Sequence, residues 1–291
     1  MRAQIISARP PRYTFWHMLL DVAAEVMANT QLSPDYNVIA LSAPEIARVA
    51  QPGQFVMIRT QPGLDPLLRR PFSIFERLRD ASGAFTGLSL LNKRVGVGTS
   101  QLFSAREGDR VGVLGPLGRP FVPVDPPSEA WMVAGGVGLA PFVTLAEALA
   151  ERRTPMRLFY GARAAADLYY ADWFKRLGAT LHLTTEDGSR GDRGRVTLPL
   201  LRALETTPAS QPVALYACGP TPMMRAIATA AETHDRSVAV SLEPVMGCGM
   251  GGCYSCVVPV RRGTGRQFVR ACLEGPVFDG RTVVWDALTG H

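Results

Sequence analysis

The chain has 291 residues, of which 47% are hydrophobic; this length and composition suit two domains with separate cores and exclude a disordered protein or a coiled coil. The 28 glycines and 23 prolines are typical of a fold rich in turns rather than of a helical bundle. The formal net charge is +6, but the arginines are scattered along the chain, which argues against nucleic-acid binding.

Residues 1–27 are predicted to be an N-terminal extension, either helical or not native. Apolar side chains recur at helical spacing from Phe15 to Val26, which favours an amphipathic helix. The alternative is that Met27 is the initiator and that the preceding residues come from upstream translation. Charged residues interrupt the stretch, and no apolar run reaches the roughly 18 residues of a membrane span. We therefore expect no secretory signal, no membrane association and a cytoplasmic location.

Residues 28–127 are predicted to form an antiparallel β-barrel. Short apolar runs are separated by glycine and proline, a pattern typical of closely spaced strands joined by turns. The proline-rich stretch 122–128 predicts a linker, because the periodicity changes beyond it. The predicted strands of this domain cover residues 37–41, 54–60, 72–76, 85–92 and 110–114.

Residues 128–243 are predicted to form a doubly wound α/β domain with a parallel sheet, because apolar runs alternate here with helical segments. The predicted strands cover residues 131–134, 156–160, 180–184, 213–218 and 237–242. One predicted helix starts near Pro141, and three others cover about residues 168–177, 196–204 and 222–234.

Residues 244–291 contain four cysteines and are predicted to bind an iron–sulfur cluster. Cys248, Cys253, Cys256 and Cys272 read C-x4-C-x2-C-x15-C, and the first part of this pattern is the spacing of plant-type [2Fe–2S] ligands. The glycines around the first two thiols suit a chain that wraps closely around an inorganic core. Structural zinc and a pair of disulfides are the alternatives, although zinc usually takes its thiolates as two short pairs and disulfides are rare in the cytoplasm.

Two loops of the α/β domain are predicted to bind a dinucleotide. The first contains Gly135, Gly136 and Gly138 and joins an apolar strand to a helix that starts with proline, where free N–H groups and the helix dipole can receive a phosphate. The second, Cys218-Gly219-Pro220, follows a later strand and is expected at the same sheet edge. Taken alone, Cys218 is expected to be a buried small side chain rather than a reactive thiol.

Two motifs of the predicted barrel add groups that suit a phosphate ligand. Arg70-Pro71-Phe72-Ser73 places a cation and a hydroxyl on a short strand, and Gly98-Thr99 begins a possible phosphate-binding turn. Taken singly, each motif is ordinary, since an arginine is most often a solvated surface charge.

In this order the motifs resemble the ferredoxin–NADP reductase superfamily and, within it, the electron-transfer subunits of bacterial class 1B dihydroorotate dehydrogenases. The resemblance covers about residues 30–291. It implies FAD on the barrel, a [2Fe–2S] cluster on the four cysteines, and NAD as a substrate of the α/β domain. The sequence departs from the family pattern at two places. Phe72 stands where the superfamily usually has tyrosine and where this subfamily commonly has an aliphatic residue. The segment between the first two cluster cysteines is unusually rich in glycine.

The resemblance also implies roles for individual barrel residues. Arg70, Pro71, Phe72 and Ser73 match the strand that holds the isoalloxazine and pyrophosphate of FAD. The adjacent strand segment and the phosphate turn are matched by Leu91, Asn92 and Lys93 and by Gly98 and Thr99.

The activity implied is an electron relay in pyrimidine biosynthesis. Electrons from dihydroorotate would pass through the FMN of a catalytic partner subunit, then the cluster and FAD, to NAD⁺, in a hetero-oligomer expected to be a heterotetramer. One alternative is a reductase subunit for another acceptor, of the sulfide dehydrogenase, hydrogenase gamma or ferredoxin transhydrogenase type. A second alternative, from another class, is a non-enzymatic iron–sulfur redox sensor.

Overall fold

The computed structural model describes residues 19–60 and 65–288. Its first part is a seven-stranded antiparallel sheet that curls into a half-barrel around buried side chains such as Ile39, Ile58 and Val113. The strands are β1 (Leu20–Gln31), β2 (Tyr36–Leu41), β3 (Phe55–Arg59), β4 (Arg70–Ser73), β5 (Glu76–Arg79), β6 (Phe85–Lys93) and β7 (Arg110–Leu117), in the spatial order β4-β3-β7-β1-β2-β6-β5. Two short helices, α1 (Pro44–Val49) and α2 (Val97–Ser104), lie between these strands in the chain.

The first strand corrects the prediction of a helix over the N-terminal extension. Residues 20–26 belong to β1, which pairs with β7 on one side and β2 on the other. The inward positions alternate, since Ala24 and Val26 are buried whereas Glu25 and Met27 are exposed. This period of two is the signature of a strand with one buried face. The part of the predicted helix before residue 19 lies outside the described residues.

The predicted strands of the barrel are present, except that one of them is divided into two strands. Residues 72–76, predicted as one strand, end β4 and begin β5, because the chain changes partners at the fully buried Ile74 and Phe75. The Ile74 N–H donates to the Gln54 carbonyl before β3, and the Phe75 N–H donates to the Ser89 carbonyl of β6. Strand β1 crosses the boundary predicted at residue 27, and the domain boundaries as a set stay predictions.

The second part is the predicted doubly wound sheet, which begins directly after the proline-rich linker. Its strands are β8 (Glu129–Gly135), β9 (Met156–Ala162), β10 (Thr180–Thr185), β11 (Asp192–Arg193), β12 (Val213–Cys218) and β13 (Ser237–Ser241), all parallel. The helices that cover it are α3 (Ala140–Glu151), α4 (Ala171–Arg176), α5 (Thr197–Thr206) and α6 (Thr221–Thr233). The prediction of five strands is confirmed, and β11 adds a sixth.

The third part carries the four cysteines. A loop leads from β13 into a hairpin of β14 (Val257–Arg262) and β15 (Gly265–Arg270), followed by the short helix α7 (Ala271–Glu274) and the strand β16 (Val277–Asp279). Strand β16 pairs with β13 in the antiparallel direction, so the segment returns to the nucleotide sheet. One hydrophobic core runs through all three parts, from Met57 of the half-barrel through Trp131 to Cys272.

Within 19–60 and 65–288, no helix is long and apolar enough to cross a membrane.

Candidate functional site

The two predicted dinucleotide loops lie side by side at one edge of the α/β sheet. The chain runs from β8 to β9 and β10 on one side and then crosses to β12 and β13 on the other. Strands β8 and β12 are therefore neighbours where the strand order reverses, and Ala134 pairs with Cys218 at their carboxyl ends. Open α/β sheets bind ligands at such a switch point.

Glycine is needed where these two loops touch. A Cβ on Gly135 would lie 2.8 Å from Pro220 Cδ, and one on Gly138 would collide with the Cys218 carbonyl. Gly136 has a φ of +56° and faces open space, so its amide borders the opening without a side chain over it. The geometry leaves room for a ligand to approach the backbone closely.

A cleft of about 930 Å³ opens in front of these loops, which is within the usual range for sites that take small molecules and cofactors. The half-barrel contributes Tyr36 and Lys93 to its wall, and the cysteine segment contributes Ser255 and Val257. Lys93 Nζ lies 5.4 Å from the centre of the Tyr36 ring. All three parts of the molecule therefore border one cleft.

Glu243, which the sequence analysis missed, also lines this cleft. Its side chain is exposed toward the cleft, but the carboxyl lies among many protein atoms, and the resulting loss of contact with water raises the pKa of the carboxyl. Cys218 Sγ donates to Glu243 Oε1 at 3.5 Å, and burial raises the pKa of the Cys218 thiol well above its usual value. Cys218 is fully buried, as expected. The sequence feature that could have identified Glu243 is its place just after the last parallel strand, at the edge of the sheet where ligands bind.

The barrel motifs predicted to bind FAD come together at another surface. Arg70 Nη1 donates to the carbonyls of Leu68 and Arg69 at 2.8 and 3.3 Å. A Cβ on Gly98 would lie 3.3 Å from Arg70 Cγ, so the first turn of α2 rests against the arginine stem. Thr99 closes this turn, since its Oγ1 accepts the Gly96 N–H at 2.9 Å.

The surroundings of Arg70 fit a flat, partly apolar, anionic ligand such as FAD. Four apolar side chains near Arg70 and its turn are more than half exposed, an arrangement that often marks a binding surface. They are Leu67, Leu68, Val95 and Val97. The guanidinium beside them can pair with phosphate oxygens.

Other residues of the predicted FAD set have different places. Asn92 is fully buried, and its amide donates to Asn37 Oδ1 and to the Thr99 carbonyl at 2.7 and 3.0 Å, so it ties β6 to β2 and to the turn. Leu91 is a core residue. On β4, Ser73 and Phe72 are half-buried and Pro71 is exposed.

The four cysteines lie as two pairs in the third part. Cys248 and Cys253 contact one another on the outer loop, and Cys256 and Cys272 contact one another in the core. Hydrogen bonds from Ser255 lower the pKa of Cys253 to about 6, whereas burial raises the pKa of Cys272 to about 12. Two pairs of thiols suit a cluster with two irons. Within the described residues, no group of three or more Cys, His, Asp or Glu side chains is placed to hold a single metal ion.

The loop that carries Cys248 packs directly on the half-barrel. Gly249 has a φ of +74°, and a Cβ there would lie 2.5 Å from Met57 Cγ and 3.0 Å from Leu117 Cδ1. Met57 is on β3, next to the strand that carries Arg70. The cysteine loop is therefore adjacent both to the half-barrel and to the nucleotide cleft.

Two family models match these regions. An oxidoreductase NAD-binding domain matches residues 132–229, and the iron–sulfur cluster binding domain of dihydroorotate dehydrogenase B matches residues 243–284. The first covers the two glycine loops and most of the parallel strands, and the second covers the four cysteines.

Similar proteins cover nearly the whole chain. The dihydroorotate dehydrogenase B (NAD(+)) electron transfer subunit of Desulforamulus reducens is 39% identical over 90% of this chain and 98% of its own, and that of Geobacillus kaustophilus is 39% identical over 84% and 91%. The solved structure of an NADH-dependent reduced ferredoxin–NADP oxidoreductase, described in work on flavin-based electron bifurcation, is 31% identical over 92% of this chain and 91% of its own, with a TM-score of 0.79.

The fold and the site define an oxidoreductase of the ferredoxin reductase class that carries an iron–sulfur segment at its C-terminal end. Within this class, the chain belongs to the family of electron transfer subunits of dihydroorotate dehydrogenase B (NAD(+)). The predicted family and fold class are confirmed. FAD and a [2Fe–2S] cluster are its cofactors, and NAD is its substrate.

Proposed function

We propose that this chain is the electron-transfer subunit of an NAD-dependent dihydroorotate dehydrogenase, carrying electrons between the FMN of a catalytic partner subunit and NAD. The observation that carries the proposal is the place of the cysteine loop, which packs on Met57 of the half-barrel and lines the nucleotide cleft through Ser255. Bound there, the three cofactors would supply hydride exchange, division of an electron pair and conduction of single electrons.

The residues of the chain then have binding roles. Arg70 and the turn at Gly98 and Thr99 bind FAD, together with the rest of β4 and the end of β6. The glycine loop after β8 and Cys218-Gly219-Pro220 after β12 bind NAD. The cluster ligands are Cys248, Cys253, Cys256 and Cys272.

The surface around the cysteine loop supports a protein partner. Four large apolar side chains on this loop and on the adjoining hairpin are more than half exposed, and such groups mark interaction surfaces. They are Val245, Met250, Tyr254 and Phe268. We assign to this face the catalytic FMN subunit, which holds the dihydroorotate site, in a cytoplasmic heterotetramer.

Recombination of subunits tests the proposal. The isolated chain should oxidise NADH with artificial acceptors and be inert toward dihydroorotate. Addition of the catalytic subunit from the same organism should create dihydroorotate-dependent NAD⁺ reduction, followed at 340 nm. Dihydroorotate oxidation by the chain alone, or no binding and no gain of activity with the authentic partner, would refute the assignment. Absence of steady NADH oxidation would favour the redox sensor.

One alternative acceptor is supported by the solved structure at 31% identity, whose description names reduced ferredoxin and NADP. A chain of that type would reduce NADP⁺ with reduced ferredoxin. The same preparation, assayed with ferredoxin in place of the catalytic subunit, separates the two functions.

A further inference from the structure

Ser255 lies between two of the cluster cysteines in sequence and beside one of them in space. Its Oγ is 3.1 Å from Cys253 Sγ and 2.9 Å from the Gly247 backbone nitrogen. The residue also lines the nucleotide cleft. We propose that the Ser255 hydroxyl donates a hydrogen bond to the Cys253 sulfur and thereby raises the reduction potential of the cluster. This inference rests on the proposed function, because it presupposes that the cluster is bound.

The direction of the hydrogen bond follows from counting protons. A hydroxyl has one proton to donate and two lone pairs that accept. The Gly247 N–H already donates to Ser255 Oγ, so one lone pair is used and the proton is free. A cysteine that ligates iron is a thiolate and can only accept. Ser255 is therefore the donor and Cys253 Sγ the acceptor.

The effect on the potential follows from charge. One-electron reduction adds one negative charge to the cluster, and part of that charge lies on the ligating sulfurs. A donor aimed at a sulfur stabilises the reduced form more than the oxidised form, and hydrogen bonds to the sulfurs are among the factors that set cluster potentials. Backbone groups serve two other sulfurs, since Met250 N–H donates to Cys248 Sγ at 3.3 Å and Cys272 N–H to Cys256 Sγ at 3.5 Å. The Ser255 donor is the one of these three that a side-chain substitution can remove.

The Ser255→Ala variant tests the proposal in the full chain with its cofactors, prepared without oxygen. We expect unchanged iron, sulfide and flavin content. The equilibrium between oxidised and reduced cluster should move about tenfold toward the oxidised form, which corresponds to about 59 mV for one electron. The measurement is a redox titration followed by the electron paramagnetic resonance signal of the reduced cluster, without NAD(H), because Ser255 also lines the cleft.

Two controls separate a hydrogen bond from a change of packing. Ser255→Thr keeps a hydroxyl, and Ser255→Val introduces a side chain of nearly the same shape as threonine but without the hydroxyl. The threonine variant should keep the reduction potential near that of the wild type, and the valine variant should lower it as the alanine variant does. Ser82→Ala makes the same substitution in an exposed turn of the half-barrel, where the hydroxyl contacts Asp80, and should leave the potential unchanged.

Each result decides the question. A wild-type potential in Ser255→Ala or Ser255→Val with full cluster content would overturn the proposal. Loss of iron and sulfide from both hydroxyl-free variants would also overturn it, because Ser255 would then hold the loop rather than tune the cluster. A wild-type chain without iron and sulfide would instead contradict the proposed function.

Discussion

Cys272 lies on a different element of the structure from the other three predicted cluster ligands. It lies on α7, is fully buried and contacts Cys256. Cys272→Ser should remove or destabilise the cluster, because a serine oxygen is a harder and weaker ligand for cluster iron than a thiolate. FAD should stay bound, since its predicted ligands lie on the half-barrel. Iron, sulfide and flavin analysis checks this, with Cys218→Ala as the control that keeps its iron. Unchanged iron and sulfide in Cys272→Ser would refute the ligand assignment.

Arg70 carries the FAD prediction at the level of one side chain. Arg70→Ala should weaken FAD binding about tenfold or more, because a hydrogen bond to a charged group is worth about 1.5–3 kcal/mol. Arg70→Lys should restore little, since the ammonium lacks the planar fork of the guanidinium. The flavin-to-protein ratio measures the effect while the cluster spectrum stays visible. Arg79→Ala is the matched control, because that guanidinium lies over the Phe85 ring at 3.7 Å; full flavin retention in Arg70→Ala would move the site elsewhere.

Glu243 predicts a pH effect on nucleotide binding. Burial raises the pKa of its carboxyl, so the side chain stays neutral to a higher pH than an exposed glutamate and gains its charge as the pH rises through that raised pKa. A carboxylate in the cleft attracts the cationic ring of NAD⁺ but not the neutral ring of NADH. The affinity for NAD⁺ relative to NADH should therefore increase with pH, and Glu243→Gln should abolish the increase.

Titration calorimetry at several pH values would measure the two affinities. Glu186→Gln is the control, since Glu186 lines the same cleft from the end of β10 rather than from the end of β13. An increase with pH that persists in Glu243→Gln would exclude this residue as its source.

Strand β1 is the element on which sequence and structure differ most. Apolar residues from Phe15 to Val26 fit a helical period, yet residues 20–26 form a strand because Ala24 and Val26 face the core between β7 and β2. Short apolar stretches fit both periods, and only the long-range pairing with β7 decides between them. The nucleotide strands were easier to predict because they are buried on both faces and read as continuous apolar runs.

Truncation tests the corrected boundary. Removal of residues 1–26 deletes the six register positions of β1 that pair with β7 and the buried Ala24 and Val26. We expect a loss of at least about 3 kcal/mol, from one buried valine and several backbone hydrogen bonds. Thermal unfolding of this chain should show a clear drop beside a chain that lacks only residues 1–18, which keeps β1. Equal stability of the two would show that β1 contributes little.

At the scale of the whole molecule, the cysteine segment is tied to both other parts. Gly249 packs on Met57, an isolated bridge joins Arg119 to Pro276, and β16 pairs with β13. The ligand set is a prediction from the cysteine spacing in the sequence, because the pattern C-x4-C-x2-C is defined by neighbours in the chain, and it stays a prediction. The pairing of β16 was not predictable in that way, since a three-residue strand has no period and its partner lies about 40 residues earlier.

The return of β16 to the sheet has a consequence for solubility. In the described residues, β13 would be an outermost strand without it, and a bare outermost strand presents unpaired N–H and C=O groups that recruit other chains. A chain that stops after Glu243 should therefore self-associate even though its nucleotide sheet is otherwise complete, and light scattering at rising concentration would detect this. A monodisperse truncated chain would argue against it. On this account, the segment that conducts electrons also protects the protein against aggregation.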